Sequence, residues 1–280
     1  MSEALEITVS AAQMQSQDNL TENLACVEDL VRQAAGRGAR LLVLPENFAF
    51  MGNEDEKRGI AETVSRAAAD SDGPILRALR EAARKHAVHL IGGGMPEKSD
   101  DPARPFNTSV LVAPSGEVVA SYRKIHLFDV EVGDGASYHE SRATSAGSRT
   151  VVADVGGIGV GLSVCYDLRF PELYRSLADK GAVVATVPAA FTLMTGKDHW
   201  HVLLRARAIE SQLVVVAAAQ CGIHPKGRRT YGKSCVIDPW GDVLAQAPDG
   251  VGIVTATLDL ERALRVRKSL PSLTHRRQFE

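Results

Sequence analysis

Val160–Arg175 reads VGLSVCYDLRFPELYR, and its change of character along the stretch decides how the chain is read. Gly159 and Gly161, with the apolar Val160, Leu162 and Val164, predict a short buried strand. Pro171 suits a first helical position, because its φ is already helical and its missing N–H would have no partner there. Glu172–Lys180 is the helix expected to follow. Cys165 therefore falls where a strand gives way to a turn. In α/β proteins a side chain there is held by a rigid strand and reached from a loop, and nearby backbone N–H groups can face an anion. Alone, Cys165 reads as readily as a small buried hydrophobe. Asp167 and Arg169 tip the balance, since a purely structural strand end has no use for charges directly behind it.

Outward from this stretch, apolar runs ending in a charge recur. Ile7–Ala12 alternates as a strand, and Asn19–Gln33 places Leu20, Leu24, Val27, Leu30 and Val31 at helical spacing. Leu41–Leu44 is continuously apolar, the mark of a strand buried on both faces, and runs into Pro45-Glu46-Asn47-Phe48. Glu46 is then either a solvated loop carboxylate or a functional one. Ile60–Ala69 and Pro74–His86 are expected helices and Val88–Ile91 a strand. Thr108–Ala113 and Glu117–Tyr122 form a hairpin about Pro114-Ser115-Gly116. Lys124 follows it as a second charge at a strand end, its alternative being an ordinary solvated lysine. Asp129–Arg149 has no clear period and reads as a long loop, more often functional than accidental.

Val151–Val155 and Ile158–Val164 form the hairpin that delivers Cys165. Beyond it lie a strand at Val183–Val187, a helix opening at Thr195 and running to Ser211, and a buried strand at Leu213–Ala219. A hairpin of Lys233–Ile237 with Asp242–Gln246, a strand at Val251–Leu258 and a short helix at Glu261–Arg267 follow. Strand–helix–strand and then hairpins, in both halves, predicts an α/β protein of two sheets with helices on their outer faces. No linker divides it, so residues 1–280 read as a single domain with a polar tail from about residue 269.

The 280 residues are 45% hydrophobic, enough for a substantial core, and carry a net charge of -2 without a basic run. Neither nucleic acid nor an anionic membrane is an expected partner. Glu3 and Glu6 stand where a signal peptide needs positive charge, and no apolar stretch is long enough to span a bilayer. Cys26, Cys165, Cys221 and Cys235 are scattered without a CxxC pair, which points to the cytoplasm and away from disulfides or zinc. Cys221 and Cys235 read as core thiols. His199, His201 and His224 lack metal-ligand spacing, so neither a metal nor another cofactor is expected.

Glu46, Lys124 and Cys165 end three strands and together supply a carboxylate base, a cation and a thiol. Amide hydrolysis through a thioester needs those parts. The carboxylate takes the thiol proton, since thiolate is the attacking form. The ammonium and a backbone N–H hold the charge on the carbonyl oxygen. The carboxylate then protonates departing ammonia and activates the water that cleaves the thioester.

Leu44-Pro45-Glu46, Tyr122-Arg123-Lys124-Ile125-His126 and Cys165-Tyr166-Asp167-Leu168-Arg169-Phe170 resemble, in order and at wide separation, the three signature segments of the nitrilase (carbon–nitrogen hydrolase) superfamily. The resemblance runs from Ile7 to about Arg277. It implies a four-layer αββα sandwich, with two central mixed sheets and helices on the outer faces, assembled as a homodimer or higher homo-oligomer. It implies Glu46 as general base, Lys124 as oxyanion stabiliser and Cys165 as nucleophile. Tyr138-His139-Glu140-Ser141 is similar to the segment where relatives carry a second glutamate, so Glu140 is expected to position Lys124 or the substrate.

Pro188–Thr192, Thr195-Gly196, His199-Trp200, Leu204–Glu210 and Ala217–Gly222 resemble the omega-amidase and deaminated-glutathione-amidase branch. That implies substrate contacts from Tyr166, Arg169, Phe191 and Thr195, with Arg169 gripping a carboxylate, Phe191 walling the pocket and Thr195 donating a hydrogen bond. For Arg169 the alternative is a structural pair with Asp167 or Glu172. Asp167 and Arg175 read as structural ion-pair partners, and Arg205 and Arg207 as helix-surface residues or braces for the loop carrying Phe191. Lys233 departs from the pattern, where relatives often carry His. The expected activity is hydrolysis of a small keto-acid or carboxylate amide, foremost deaminated glutathione with release of 2-oxoglutarate, a metabolite repair. Alternatives are an omega-amidase on 2-oxoglutaramate, an N-carbamoyl or nitrile hydrolase and, furthest off, a non-catalytic binding protein.

Overall fold

In the computed structural model, which describes residues 6–69, 71–132 and 136–277, most apolar runs fold as their periodicity predicts. The first half contains β1 (Glu6–Met14), α1 (Leu20–Gly36), β2 (Leu41–Val43), α2 (Pro74–His86), β3 (His89–Glu97), β4 (Phe106–Val112) and β5 (Val118–Arg123). A short pair, β6 (Asp129–Val132) and β7 (Ala136–His139), precedes the second half. That half contains β8 (Val152–Asp154), β9 (Gly159–Leu162), α3 (Pro171–Asp179), β10 (Val184–Ala189), α4 (Leu193–Ser211) and β11 (Val214–Ile223). β12 (Arg229–Tyr231), β13 (Cys235–Ile237), β14 (Val243–Gln246), β15 (Gly252–Asp259) and α5 (Leu260–Ser269) follow.

Two mixed layers of similar plan result. One runs β15-β1-β2-β3-β4-β5 and the other β8-β9-β10-β11-β13-β14, each with three parallel strands at its centre. They meet in one seam, where the ends of β1 and β11 pair through Gln13↔Ala219 and Met14↔Gln220. β15 lies antiparallel to β1 over eight pairs, from Glu6↔Asp259 to Gln13↔Gly252.

The period of two along β2 shows how the layers stack. Leu41 and Val43 join Ile7, Val9, Ala11 and Ile91 in a core shared with Val160, Leu162 and Val184 of the opposite sheet. Leu42 and Leu44 point the other way, into a second core with Val27, Leu30 and Val31 of α1 and Leu76 and Leu79 of α2. Each such leucine, fully buried, stabilises the fold by about 1.5–3 kcal/mol relative to exposure. The sheets approach most tightly beside the strand ends. A Cβ on Gly93 would lie 2.0 Å from the Leu44 carbonyl oxygen and 2.3 Å from Pro188 Cβ, so only glycine lets β3 reach β10 there.

Some expectations need correction. Ile60–Ala69 is not a helix. A short 3₁₀ helix spans Glu54–Ile60, and the chain then extends alongside β3, with Glu62 N–H donating to Pro96 and Lys98 N–H to Glu62. The Glu62 carboxylate accepts from the N–H groups of Ile75 at 2.7 Å and Leu76 at 2.8 Å and so caps α2, where Gly73 offers no side chain. Tertiary pairing and this cap override local helical spacing. The loop expected at Asp129–Arg149 contains the β6–β7 pair, and residues 133–135 of it lie outside the described residues. α4 starts at Leu193, two residues before Thr195, because Thr192 Oγ1 accepts the Thr195 N–H as its N-cap. No helix among the described residues is long and apolar enough to cross a membrane.

Candidate active site

The turn after β9 holds Cys165 at φ +48°, in the left-handed region that a non-glycine residue occupies at a cost of about 1–3 kcal/mol. The surroundings impose it. Asp167, fully buried, accepts hydrogen bonds from the Val164 N–H at 2.9 Å, the Tyr122 hydroxyl at 2.7 Å and the His126 N–H at 3.1 Å, and lies 2.6 Å from His126 Nδ1. The His126 ring stacks on Phe170 with centroids 3.6 Å apart. Arg207, buried, donates from Nε to the Leu168 carbonyl at 2.8 Å. Arg207 thus braces the Cys165 turn itself, not the helix surface or the Phe191 loop, while Arg205 donates to the Gly241 carbonyl. Arg175 faces Glu210 at 3.8 Å, so Asp167 and Arg175 have separate partners.

Across the gap between the sheets, Lys124 follows β5. Its Nζ lies 2.8 Å from Glu46 Oε1 and 3.0 and 2.8 Å from the two Glu140 oxygens. Asn107 of β4 donates to Glu46 at 3.0 Å and Glu140 at 3.3 Å, and the Phe128 N–H to Glu140 at 2.7 Å. Gln220 holds the Glu46 carbonyl at 3.0 Å. The Ala190 N–H points at Cys165 Sγ from 3.5 Å, and the Glu46 carboxylate is near enough for its charge to act on the thiol.

Glu46 is 3% exposed and Lys124 2%, so each charge depends on the others. Burial alone would raise the Glu46 carboxyl, but the charge and hydrogen bond of Lys124 hold it down at about 2. Burial alone would lower Lys124, but Glu140 and Glu46 keep it well above its ordinary value. Burial and the Glu46 charge push the Cys165 thiol well above its own, against the pull of Lys124 and the Ala190 N–H. At rest the site therefore holds a carboxylate, an ammonium and a protonated thiol.

A cavity of about 150 Å³ opens over these groups, and all eight residues expected from sequence line it: Glu46, Lys124, Glu140, Cys165, Tyr166, Arg169, Phe191 and Thr195. Arg169 pairs with neither Asp167 nor Glu172. Its guanidinium lies over the rings of Phe191, at 5.3 Å, and Tyr166, at 5.8 Å, with Nη1 3.3 Å from His199 Nδ1. Phe191 is backed by Trp200 at 5.0 Å, and Thr195 Oγ1 lies 2.9 Å from Thr192 Oγ1. Lys233 turns away to Asp249, at 2.6 Å, while its carbonyl accepts from Trp200 Nε1. Sequence reasoning missed Asn107, Phe128, Tyr138, Glu54, Lys57 and Arg228. The available signal for Asn107 was a lone amide in an otherwise apolar and hydroxyl-bearing strand; Tyr138 lay in the stretch read as a loop, and Glu54, Lys57, Phe128 and Arg228 lay in stretches without a pattern to read.

A family model described as carbon-nitrogen hydrolase matches residues 8–268. The chain belongs to the carbon-nitrogen hydrolase family. This carbon-nitrogen hydrolase is 46% identical over 271 residues to the deaminated glutathione amidase of Synechocystis sp., covering 95% of this chain and 97% of that one. It is 42% identical over 275 residues to the deaminated glutathione amidase of Homo sapiens, covering 96% and 82% of the two chains. Its fold matches that of Saccharomyces cerevisiae Nit3, a member of branch 10 of the nitrilase superfamily, with a TM-score of 0.87 and 31% identity over 98% of this chain and 97% of that one. The αββα sandwich read from the sequence is the fold found, and the protein is a hydrolase acting on amides.

Proposed function

We propose that this carbon-nitrogen hydrolase cleaves deaminated glutathione, releasing 2-oxoglutarate and a dipeptide. The observation that carries the reading is Arg169. It is a guanidinium set on two aromatic faces, without a carboxylate partner among the described residues, in the cavity of a buried thiol. Such a fork suits a substrate carboxylate through two parallel hydrogen bonds. The names of the Synechocystis and human relatives support the substrate.

In this reading Glu46 takes the thiol proton as Sγ attacks the amide carbon. The carbonyl electron pair moves to oxygen, opposite the Lys124 ammonium. Collapse of that adduct breaks the carbon–nitrogen bond as Glu46 returns the proton to the leaving amine. The thioester is then opened by a water that gives its proton to Glu46, and that proton goes back to sulfur. Glu140 holds Lys124 in place, and Phe191 and Tyr166 flank Arg169 against the keto-acid end.

The direct test is release of 2-oxoglutarate from deaminated glutathione beside 2-oxoglutaramate, with an N-carbamoyl amine and a nitrile as further substrates. Deaminated glutathione is expected to give the highest kcat/KM. A clear preference for 2-oxoglutaramate makes the enzyme an omega-amidase, and turnover of only the last two overturns the reading. The four free cysteines support a cytoplasmic location. Val202 and Ile209 of α4, with nearby Trp240, are exposed and support a homodimer packed through its helices, to be checked by sedimentation equilibrium.

A further inference from the structure

The cavity holds four cations, and two are already matched. Lys124 is held between Glu46 and Glu140, and Lys57 lies 2.7 Å from Glu54. Arg169 is one of the other two. The fourth, Arg228, comes from the turn between β11 and β12, where sequence reading found nothing. Its Nη1 stands 3.8 Å from Glu54, too far for a hydrogen bond, and its Nε is buried with no hydrogen-bond partner among the described residues. A buried guanidinium N–H without an acceptor is costly. Glu54 faces both Lys57 and Arg228, so this end of the cavity has one positive charge more than it has carboxylates.

The two arginines stand at opposite ends of a row of rings. The Arg228 guanidinium lies 5.6 Å from the Tyr138 ring, Tyr138 is 5.2 Å from Phe128, Phe128 is 5.1 Å from Tyr166, and Tyr166 is 5.8 Å from Arg169. The backbone of Arg228 is also fixed in place, and its guanidinium lies on the Tyr138 ring. Its carbonyl accepts the His224 N–H at 2.8 Å, and the buried His224 ring is pinned at both nitrogens, 2.8 Å from the Ser16 carbonyl and 2.7 Å from Thr230 Oγ1. A preorganised fork loses little freedom when it meets a planar anion.

We propose that Arg228 is a second carboxylate site, which binds the terminal carboxylate of a peptide leaving group while Arg169 holds the carboxylate of the acyl part. The inference rests on the proposed function for the acyl end. It assigns the enzyme to amides that carry an anion on each side of the scissile bond. Arg228 is a specificity residue and takes no part in proton transfer or bond breaking.

The test compares the 2-oxoglutaryl amide of cysteinylglycine bearing a free C-terminal carboxylate with the same compound bearing a C-terminal carboxamide. Wild type is expected to favour the acid by about 10–100-fold in kcat/KM, expressed in KM. Arg228→Gln should collapse that preference, and Arg228→Lys, which keeps the charge without the fork, should retain part of it. No discrimination by wild type, or equal preference in wild type and Arg228→Gln, overturns the inference while leaving the proposed function intact. If neither amide is turned over, the proposed function fails. Calorimetric titration of Cys165→Ala and of Cys165→Ala/Arg228→Gln with the same two compounds then decides the carboxylate site alone, since only binding of the acid should weaken.

Discussion

The catalytic cluster of the cavity and its Arg169 end handle charge in opposite ways. Around Glu46, Lys124 and Glu140 every charge has a partner at 2.8–3.0 Å, and a neutral amide, Asn107, bridges both carboxylates. At Arg169 the protein supplies ring faces and an imidazole and no carboxylate among the described residues. The first end is complete before substrate arrives, as a site for bond breaking must be if reorganisation is not to add to the barrier. The second is incomplete, as a site for recognising an anion must be. Substitutions at the first end should strike kcat, and those at the second should depend on the substrate.

The strongest test is Cys165→Ala, expected to lower kcat by about 10⁴-fold or more with an unchanged melting temperature. Mass spectrometry of wild type quenched during turnover should find the acyl group on Cys165. An adduct on Cys235, whose thiol burial pushes up to about 12, would break the comparison at its root. Next come Lys124→Ala and Glu46→Gln, each expected to lower kcat by about 10²–10³-fold. They should differ in stability. Lys124→Ala leaves two nearly buried carboxylates facing each other and should destabilise by about 3–5 kcal/mol, read by urea denaturation. Glu46→Gln keeps the shape and should unfold closer to wild type.

Arg169→Lys should cost about 10–100-fold in kcat/KM on an acyl carboxylate and far less on a neutral amide of equal length; equal losses would make Arg169 structural. The smallest effect is an absence of titration. Because burial and Glu46 push the thiol up, the absorbance difference between wild type and Cys165→Ala should show no thiolate below the ordinary 9.0. Glu46, held at about 2, contributes stability that is fully present above the ordinary 4.5 and is lost progressively as pH falls from there through about 2. A thiolate step near neutrality would mean that the proton leaves sulfur before substrate binds.

What could be read in advance follows from the same contrast. Glu46, Lys124 and Cys165 were legible because each breaks an apolar run at the end of a buried strand, where a charge or thiol is conspicuous. Their partners were not, since Asn107 and Gln220 meet Glu46 from 61 and 174 residues away and no local pattern encodes that. The same blindness produced the mistaken helix at Ile60–Ala69, whose buried Glu62 serves the start of α2 rather than its own segment. It also misassigned Arg207, whose spacing on α4 gives no sign that it reaches the Leu168 carbonyl.

The eight-pair ladder between β1 and β15 has a consequence for how this protein is made. β1 leaves the ribosome early and β15 late, at about 5–20 residues per second. For tens of seconds the nascent chain carries one side of Ile7–Gln13 as an open edge, uncharged and ready to pair with a neighbouring nascent chain. Any translation product that stops short of Gly252 keeps that edge for good, and its exposed strand is what chaperones and proteases would recognise.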